Sequence, residues 1–287
     1  MNTLRRLLRT RSLLRPATPR TPAPAHPRPG VPDRVLLADL PIPLTPSTDP
    51  LIGLAAGNQP VHLTPAHGHT LVVMPSGYGA SSLLQNVAAQ LAATGVRVDI
   101  LDFQNEQGWA HGVDGITHWS EPLVIHAFLQ DLAEQVRKQP TAPAPAARTR
   151  VLIVETAVAH DLPRFRRGPG YAAAPLDALV AILAHGRPHG LHVIMSAYGV
   201  PQPLRAPARH LLTTRILANP DMGTWAALAA PGERRPTDNS DHVGRARLLG
   251  PNAARTELQL LYLTGQQALD LATGNHPTTT RPKGPTA

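Results

Sequence analysis

At 287 residues without a cysteine, the chain is long enough for one large α/β domain or two small ones, and it offers neither a disulfide framework nor a thiolate metal site. Its net charge of +8 is concentrated: Arg5, Arg6, Arg9, Arg11, Arg15, Arg20, Arg28 and Arg34 stand near the amino terminus against a single acid, Asp33. The remainder is close to neutral, which argues against a nucleic-acid-binding surface spread over the whole molecule and leaves any counterion-release affinity to that first stretch.

Taken in chain order, "MNTLRRLLRTRSLLR" places Leu4, Leu7, Leu8 and Leu14 along one helical face with arginines between them. Three readings are open: a basic amphipathic helix on anionic lipid or DNA phosphates, an organellar presequence, or a solvated arm. No apolar run approaches the ~20 residues of a membrane-spanning helix. The expected location is cytoplasmic, in a reducing compartment, with peripheral membrane contact through the arm.

From Pro16 to Pro50 proline is dense, denying helices and ladders their N–H donors, so order is expected to begin near Leu51. A second Pro/Ala break at 139–148 reads as a surface loop. The expected division is a basic, proline-rich arm at 1–49, one domain at 50–273 and a linker-like tail at 274–287.

Within the domain the pattern alternates. "TLVVM" (70–74), "RVDILDF" (97–103), "RVLIVE" (150–155), "LHVIMSA" (191–197) and "TTRILAN" (213–219) read as buried strands. Helices are expected at 80–95, 121–139 and 175–189. Strand and helix in turn predict an α/β fold: a mostly parallel sheet with helices on both faces.

The stretch "VVMPSGYGASS" (72–82) is a glycine-rich turn between a strand and a helix. A phosphate cradle needs such glycines, a helix N-terminus aimed at the anion, a lysine for the outer phosphates and a hydroxyl for magnesium. Against G-x-x-x-x-G-K-[ST], Gly79 and Ser81 match, while Met74 and Ala80 replace the first glycine and the lysine. From these residues alone, a tight turn and a phosphate loop both stand.

The longer pattern resembles the FtsK/SpoIIIE family of DNA-translocating P-loop ATPases, especially the TraB-like DNA-transfer proteins of actinobacteria. The resemblance runs over residues 50–272, from "PLIGLAAGNQPVHL" through "SGYGASSLLQNVAAQLAATG", "VDILDFQNEQGWAHGVDGITHW", "VLIVET" and "PLDALVAILAHGRPHGLHVIMSAYG" to "RARLLGPNAARTELQLLYLT". It implies a P-loop NTPase fold of the RecA/FtsK type. It also implies a nucleotide site at Ser76, Gly77, Tyr78, Gly79, Ala80, Ser81 and Ser82, with Ser81 and Glu155 toward magnesium.

The departures bear on chemistry. Ala80 stands where the phosphate lysine belongs, Glu155 where the family has Asp, Thr156 where a carboxylate polarises the attacking water, and Tyr198 where a glutamine senses the γ-phosphate. Phosphoryl transfer runs mainly on positioning and charge stabilisation, and one lost preorganised donor costs about 10²- to 10³-fold in rate. The expectation is therefore a pseudo-ATPase with no confident catalytic residue and with weak or absent ATP and magnesium binding. It would be a non-catalytic or regulatory component of DNA transfer or segregation, associated with itself or with FtsK-like subunits. The alternatives are an active ATP-dependent DNA translocase with substituted motifs and a pure protein-interaction module.

Other candidates are weaker. Arg164, Arg166 and Arg167, beside Phe165 and Tyr171, suit DNA-backbone contact or a solvated loop. Arg215 reads as an arginine finger or as a salt bridge at a strand. Asp102, ending its strand, reads as a structural hydrogen-bond acceptor or a ligand. His185, His189 and His192 raise a zinc reading, but Gly190 interrupts the helix. "HGH" at 67–69 reads as turn chemistry. Ser76 sits as a nucleophile would at an elbow, but Met74 and Tyr78 break the G-x-S-x-G pattern.

Overall fold

A computed structural model describes residues 30–40, 44–138, 149–164, 174–200, 202–228, 242–250 and 255–275. In chain order the elements are β1 (Val35–Leu36), β2 (Leu51–Ala55), β3 (Gln59–His62), β4 (Thr70–Val73), α1 (Ala80–Ala93), β5 (Arg97–Leu101), β6 (Ile116–Trp119), α2 (Pro122–Lys138) and β7 (Arg150–Val154). They continue with α3 (Thr156–Asp161), α4 (Pro175–His185), β8 (Leu191–Ala197), α5 (Arg205–Leu211), β9 (Thr214–Leu217), α6 (Met222–Leu228), β10 (Arg245–Leu249), β11 (Arg255–Tyr262) and α7 (Gly265–Ala272).

All the strands join one sheet in the order β3-β2-β11-β10-β9-β4-β8-β7-β5-β6, with β1 pairing β11 in parallel. From β9 to β6 every pairing is parallel. From β9 to β3 every pairing is antiparallel. The expected mostly parallel sheet is thus present, extended by an antiparallel flank.

Alternation along the parallel strands divides the core. Leu71, Val73, Leu152, Val154, Val193 and Met195 enter one apolar cluster, and Val72, Met74, Val151, Ile153 and Ile194 enter the other. Both sets are buried, which is why these strands read as continuous apolar runs rather than as alternation. Each such side chain removed from water contributes about 1.5–3 kcal/mol. Side chains of α2 to α6 complete the first cluster, and those of α1 complete the second. A third, smaller cluster joins Ala268 and Leu271 of α7 to Val35, Leu51 and Leu261.

Helix α1 is rich in Ala and Leu, and it ends where Gly95, at φ 78°, returns its N–H to Ala92 O at 2.8 Å. Its buried Asn86 and Gln90 are not core errors. Both donate to Leu51 O, at 2.8 and 2.9 Å, and Gln90 Oε1 accepts from Leu51 N at 2.9 Å, locking the helix to the start of β2.

Three expectations need correction. The sheet takes in Val35–Leu36, ahead of the expected start near Leu51, because Leu261 and Tyr262, just beyond the last β11 residue paired with β2, pair with them. The helix expected over 175–189 stops at His185, and Arg187–His189 form a separate tight turn closed by Gly190. His69 is not turn chemistry: it is fully buried, with Nε2 at 3.0 Å from Leu183 O and Nδ1 accepting from Val193 N at 2.9 Å. That accepting Nδ1 leaves the proton on Nε2, which donates to Leu183. Burial, assisted by the charge of Arg187 and by His192, brings its pKa down to about 4 against the Leu183 bond.

Candidate functional site

Because β4, β8, β7 and β5 run parallel, their carboxyl ends share one edge of the sheet, where α/β folds place their ligands. Met74, Asp102, Glu155 and Tyr198 each follow directly on one of these strands. The loop 74–79 leaves β4 at this edge and turns into α1.

Gly77 and Gly79 have φ of 82° and 98°, values that L side chains rarely adopt, and a Cβ on either would meet nothing within 4 Å. Open space therefore lies over the loop. Gly79 caps α1 without a side-chain hydrogen bond, so the helix's first N–H groups face a cleft of ≈ 260 Å³. Ser76, Gly77, Gly79, Ala80, Ser81 and Ser82 line it from the loop side, and Glu106, Thr156 and Tyr198 line it from the neighbouring strand ends. Tyr78 turns instead toward the core beside α1, its N–H on Pro75 O at 3.2 Å.

The structure thus brings together Ala80, Ser81, Thr156 and Tyr198. Glu155 lies just beneath, only 2 % exposed. Its Oε1 accepts from Gln107 Nε2 at 2.5 Å, and its Oε2 accepts from Thr156 N at 3.3 Å and from Ser196 Oγ at 3.5 Å. Burial raises its pKa to about 7, and the charges of Asp102 and Glu106 push in the same direction, against the Gln107 and Thr156 hydrogen bonds. Glu155 therefore keeps its proton to a higher pH than an ordinary carboxyl.

Two residues that sequence reasoning passed over complete the arrangement. Glu106 accepts the Ser81 hydroxyl. Gln107 ties Glu155 to Ser81 O, the latter at 3.0 Å. Both stand in "NEQ", the polar loop after β5, whose only signal was its position after a strand ending in Asp. Asp102 shapes that loop, accepting from Gln104 N at 3.1 Å and Gln107 N at 2.8 Å, with His118 Nε2 at 3.2 Å. This is the structural hydrogen-bonding role its place in the sequence suggested.

Other candidates lie elsewhere. Arg215, on β9, donates to Leu212 O at 3.2 Å, Arg209 O at 2.9 Å and Leu228 O, a set of carbonyls rather than a salt bridge. Arg164 pairs with Asp161 at 2.9 Å. Arg166 and Arg167 lie outside the described residues, as does the leucine–arginine stretch 1–15. Tyr198, 48 % exposed, donates its backbone N–H to His160 Nε2 at 3.3 Å and holds its ring 5.4 Å from that imidazole. Among the described residues, no cluster of three His, Asp or Glu side chains is arranged to hold a metal ion, and no helix is long and apolar enough to cross a membrane.

What the arrangement can do follows from its donors. Backbone N–H groups and a helix N-terminus favour an anion over the loop, while among the described residues no Lys or Arg lines the cleft itself. A magnesium ion there would find the Ser81 hydroxyl and Glu106, oxygen donors suited to it, while Glu155 lies beneath the cleft with both oxygens hydrogen-bonded.

No protein-family model and no curated protein matches the chain. Solved structures do. The chain is similar to TcpA, the pCW3 conjugation coupling protein, solved as a monomer with ATPγS, with a TM-score of 0.64 at 12 % identity over 85 % of this chain and 75 % of that one. It is similar to EccC (ATPases 2 and 3) of Thermomonospora curvata, solved with a signal sequence peptide, with a TM-score of 0.62 at 17 % identity over 82 % of this chain. It is also similar to EssC (ATPases 2 and 3) of Geobacillus thermodenitrificans, with a TM-score of 0.61 at 14 % identity over 86 % of this chain. The chain spans 44 % of the EccC chain and 51 % of the EssC chain. These neighbours are FtsK/SpoIIIE-like P-loop ATPases. With its glycine loop at the carboxyl edge of the parallel strands, the chain has the α/β fold of the P-loop NTPases.

Proposed function

We propose that the chain is a nucleotide-binding but hydrolytically crippled P-loop domain, serving as a regulatory subunit of a DNA-transfer or segregation machine. One observation carries the reading. The loop 74–82 keeps an open backbone cradle at the carboxyl edge of the sheet, yet the described residues lining its cleft offer carboxylate and hydroxyl groups and no Lys or Arg.

The chain's own groups divide the work. Backbone N–H groups of residues 77–82 hold phosphate oxygens, and the α1 dipole adds about 0.3–1 kcal/mol, up to about 2 in a favourable site. Ser81 and Glu106 would hold magnesium at the cleft, and Glu155 would join them only by releasing Gln107 or Thr156. Thr156 has no carboxylate with which to polarise a water, and Tyr198 has no amide with which to read a γ-phosphate. Glu155, its pKa raised by burial, is a poor substitute base because Gln107 and Thr156 occupy its oxygens. Bound nucleotide supplies phosphate charge and shape here rather than a fast leaving group.

The partners of this reading are DNA, through the arginine-rich amino terminus and Arg164, Arg166 and Arg167, and other P-loop subunits, in a ring of like or unlike chains. The fold shared with a conjugation coupling protein supports transfer, and the one shared with EccC, a Type VII secretion ATPase, supports a secretion setting built on the same domain. Arg215 stays a candidate for reaching a neighbouring subunit's nucleotide only if it releases its carbonyl partners.

The test is a magnesium–nucleotide titration of the purified chain with a hydrolysis assay with and without DNA. Binding with negligible turnover is expected, and Ala80→Lys should tighten binding about tenfold, a lysine–phosphate contact being charge-assisted. Turnover at motor rates in the wild type would overturn the reading, and the absence of binding in both proteins would reduce the domain to an interaction module.

A further inference from the structure

Beside the phosphate loop lies a second cavity of ≈ 470 Å³, which shares Gly77, Gly79 and Ser82 with the first. Its outer wall is apolar, with Val35, Val243, Leu260 and Tyr262 among its residues. Asp33 and Arg34 also line it. Among the described residues, Arg34 is the only Lys or Arg lining either cavity.

Arg34 is held at that mouth from both sides. On one side Val35 and Leu36 pair with Leu261 and Tyr262. On the other, the buried guanidinium of Arg245 donates through Nη2 to Val31 O at 3.3 Å, Pro32 O at 3.0 Å and Asp33 Oδ1 at 3.3 Å. The neighbouring acid is therefore already engaged by Arg245, and among the described residues Arg34 has no ion-pair partner. A surface arginine normally needs no explanation. This one is pinned by its backbone at the rim of a phosphate loop that lacks its own cation.

We propose that Arg34, delivered by the first strand, supplies the positive charge toward bound phosphate that Ala80 leaves missing from the loop. The inference rests on the nucleotide reading above. The amino-terminal stretch is then part of the binding site, and its withdrawal from the sheet edge would remove both the cation and a wall of the cavity.

The experiment is calorimetric titration of the full chain and of Arg34→Gln and Arg34→Lys with ADP and, separately, with inorganic tripolyphosphate at fixed salt. Losing one charge-assisted contact should weaken both ligands about 10- to 100-fold in Arg34→Gln, with partial recovery in Arg34→Lys. The thermal midpoint should stay unchanged, since the side chain is exposed. Equal affinities in wild type and Arg34→Gln overturn the proposal while leaving the nucleotide reading intact. A loss for ADP with none for tripolyphosphate also overturns it, because the residue would then read base or ribose. Failure of the wild type to bind either ligand refutes the nucleotide reading itself, and this proposal with it.

Discussion

Two groups of buried carboxylates stand on adjacent strands and are treated in opposite ways. Asp99, within β5, is fully buried and meets Arg150 Nε at 2.6 Å, Arg97 Nε at 3.7 Å and Trp119 Nε1 at 3.2 Å. Asp102 and Glu155, at the carboxyl ends of β5 and β7, are as deeply buried, but they meet amides, hydroxyls and one imidazole and no Lys or Arg. Burying an unpaired charge costs several kcal/mol. The fold neutralises a carboxylate where it serves only structure and leaves two without a strong cation where the strands open onto the cleft. That imbalance marks the edge at which a positive group from outside, a metal ion or an added lysine, is favoured.

The largest effect should come from breaking the satisfied side. Arg150→Ala strips Asp99 of its closest cation and is expected to cost about 3–5 kcal/mol, read from the urea midpoint, with Arg97 able to hold it to the lower figure. A loss under 1 kcal/mol would mean that the contrast between the two carboxylate groups is cosmetic.

The unsatisfied side should appear in the pH dependence. With its pKa raised from 4.5 to about 7, Glu155 keeps its proton in the folded chain where the unfolded chain has lost it. Its stabilising contribution is full below pH 4.5 and gone above about 7. His69, lowered from 6.5 to about 4, acts in the reverse sense: its contribution is full above 6.5 and drains away as pH falls toward 4. Each is worth about 3 kcal/mol at full extent, so between pH 4.5 and 6.5 they oppose one another. Glu155→Gln should unmask His69, turning a nearly flat stability profile into one that rises by about 3 kcal/mol over that window. An unchanged profile, followed by denaturant titration at each pH, would show that Glu155 is ionised throughout.

A smaller effect sharpens the same point. Asp102→Asn removes a neighbouring negative charge, so the Glu155 pKa should move down toward the ordinary carboxylate range, as read by carbon-detected NMR titration. A shift upward would assign the perturbation to loop geometry rather than charge.

Legibility from sequence followed how many residues each signal used. The parallel strands were readable because runs such as Val151 to Val154 are buried on both faces, and each adds to the same apolar signal. The loop after β4 was readable because Gly77 and Gly79 sit between a strand and a helix. Strand β6, "ITHW", escaped, since its four residues are only partly covered and two of them are polar. Glu106 and Gln107 escaped for a related reason: a loop residue that reaches another loop carries no period. Val35–Leu36 lay within proline-dense sequence, and only their place beside β11 made them a strand. His69 was misread because a histidine between glycine and threonine looks like a turn until the two backbone groups it bridges are known.

That imidazole has a mechanical consequence. From just ahead of β4 it holds the main chain of α4 with one nitrogen and that of β8 with the other, at the end of the sheet remote from the glycine loop. The base of the molecule is thereby riveted across three elements. The opposite rim, with the glycine loop and Tyr198, lies outside that rivet.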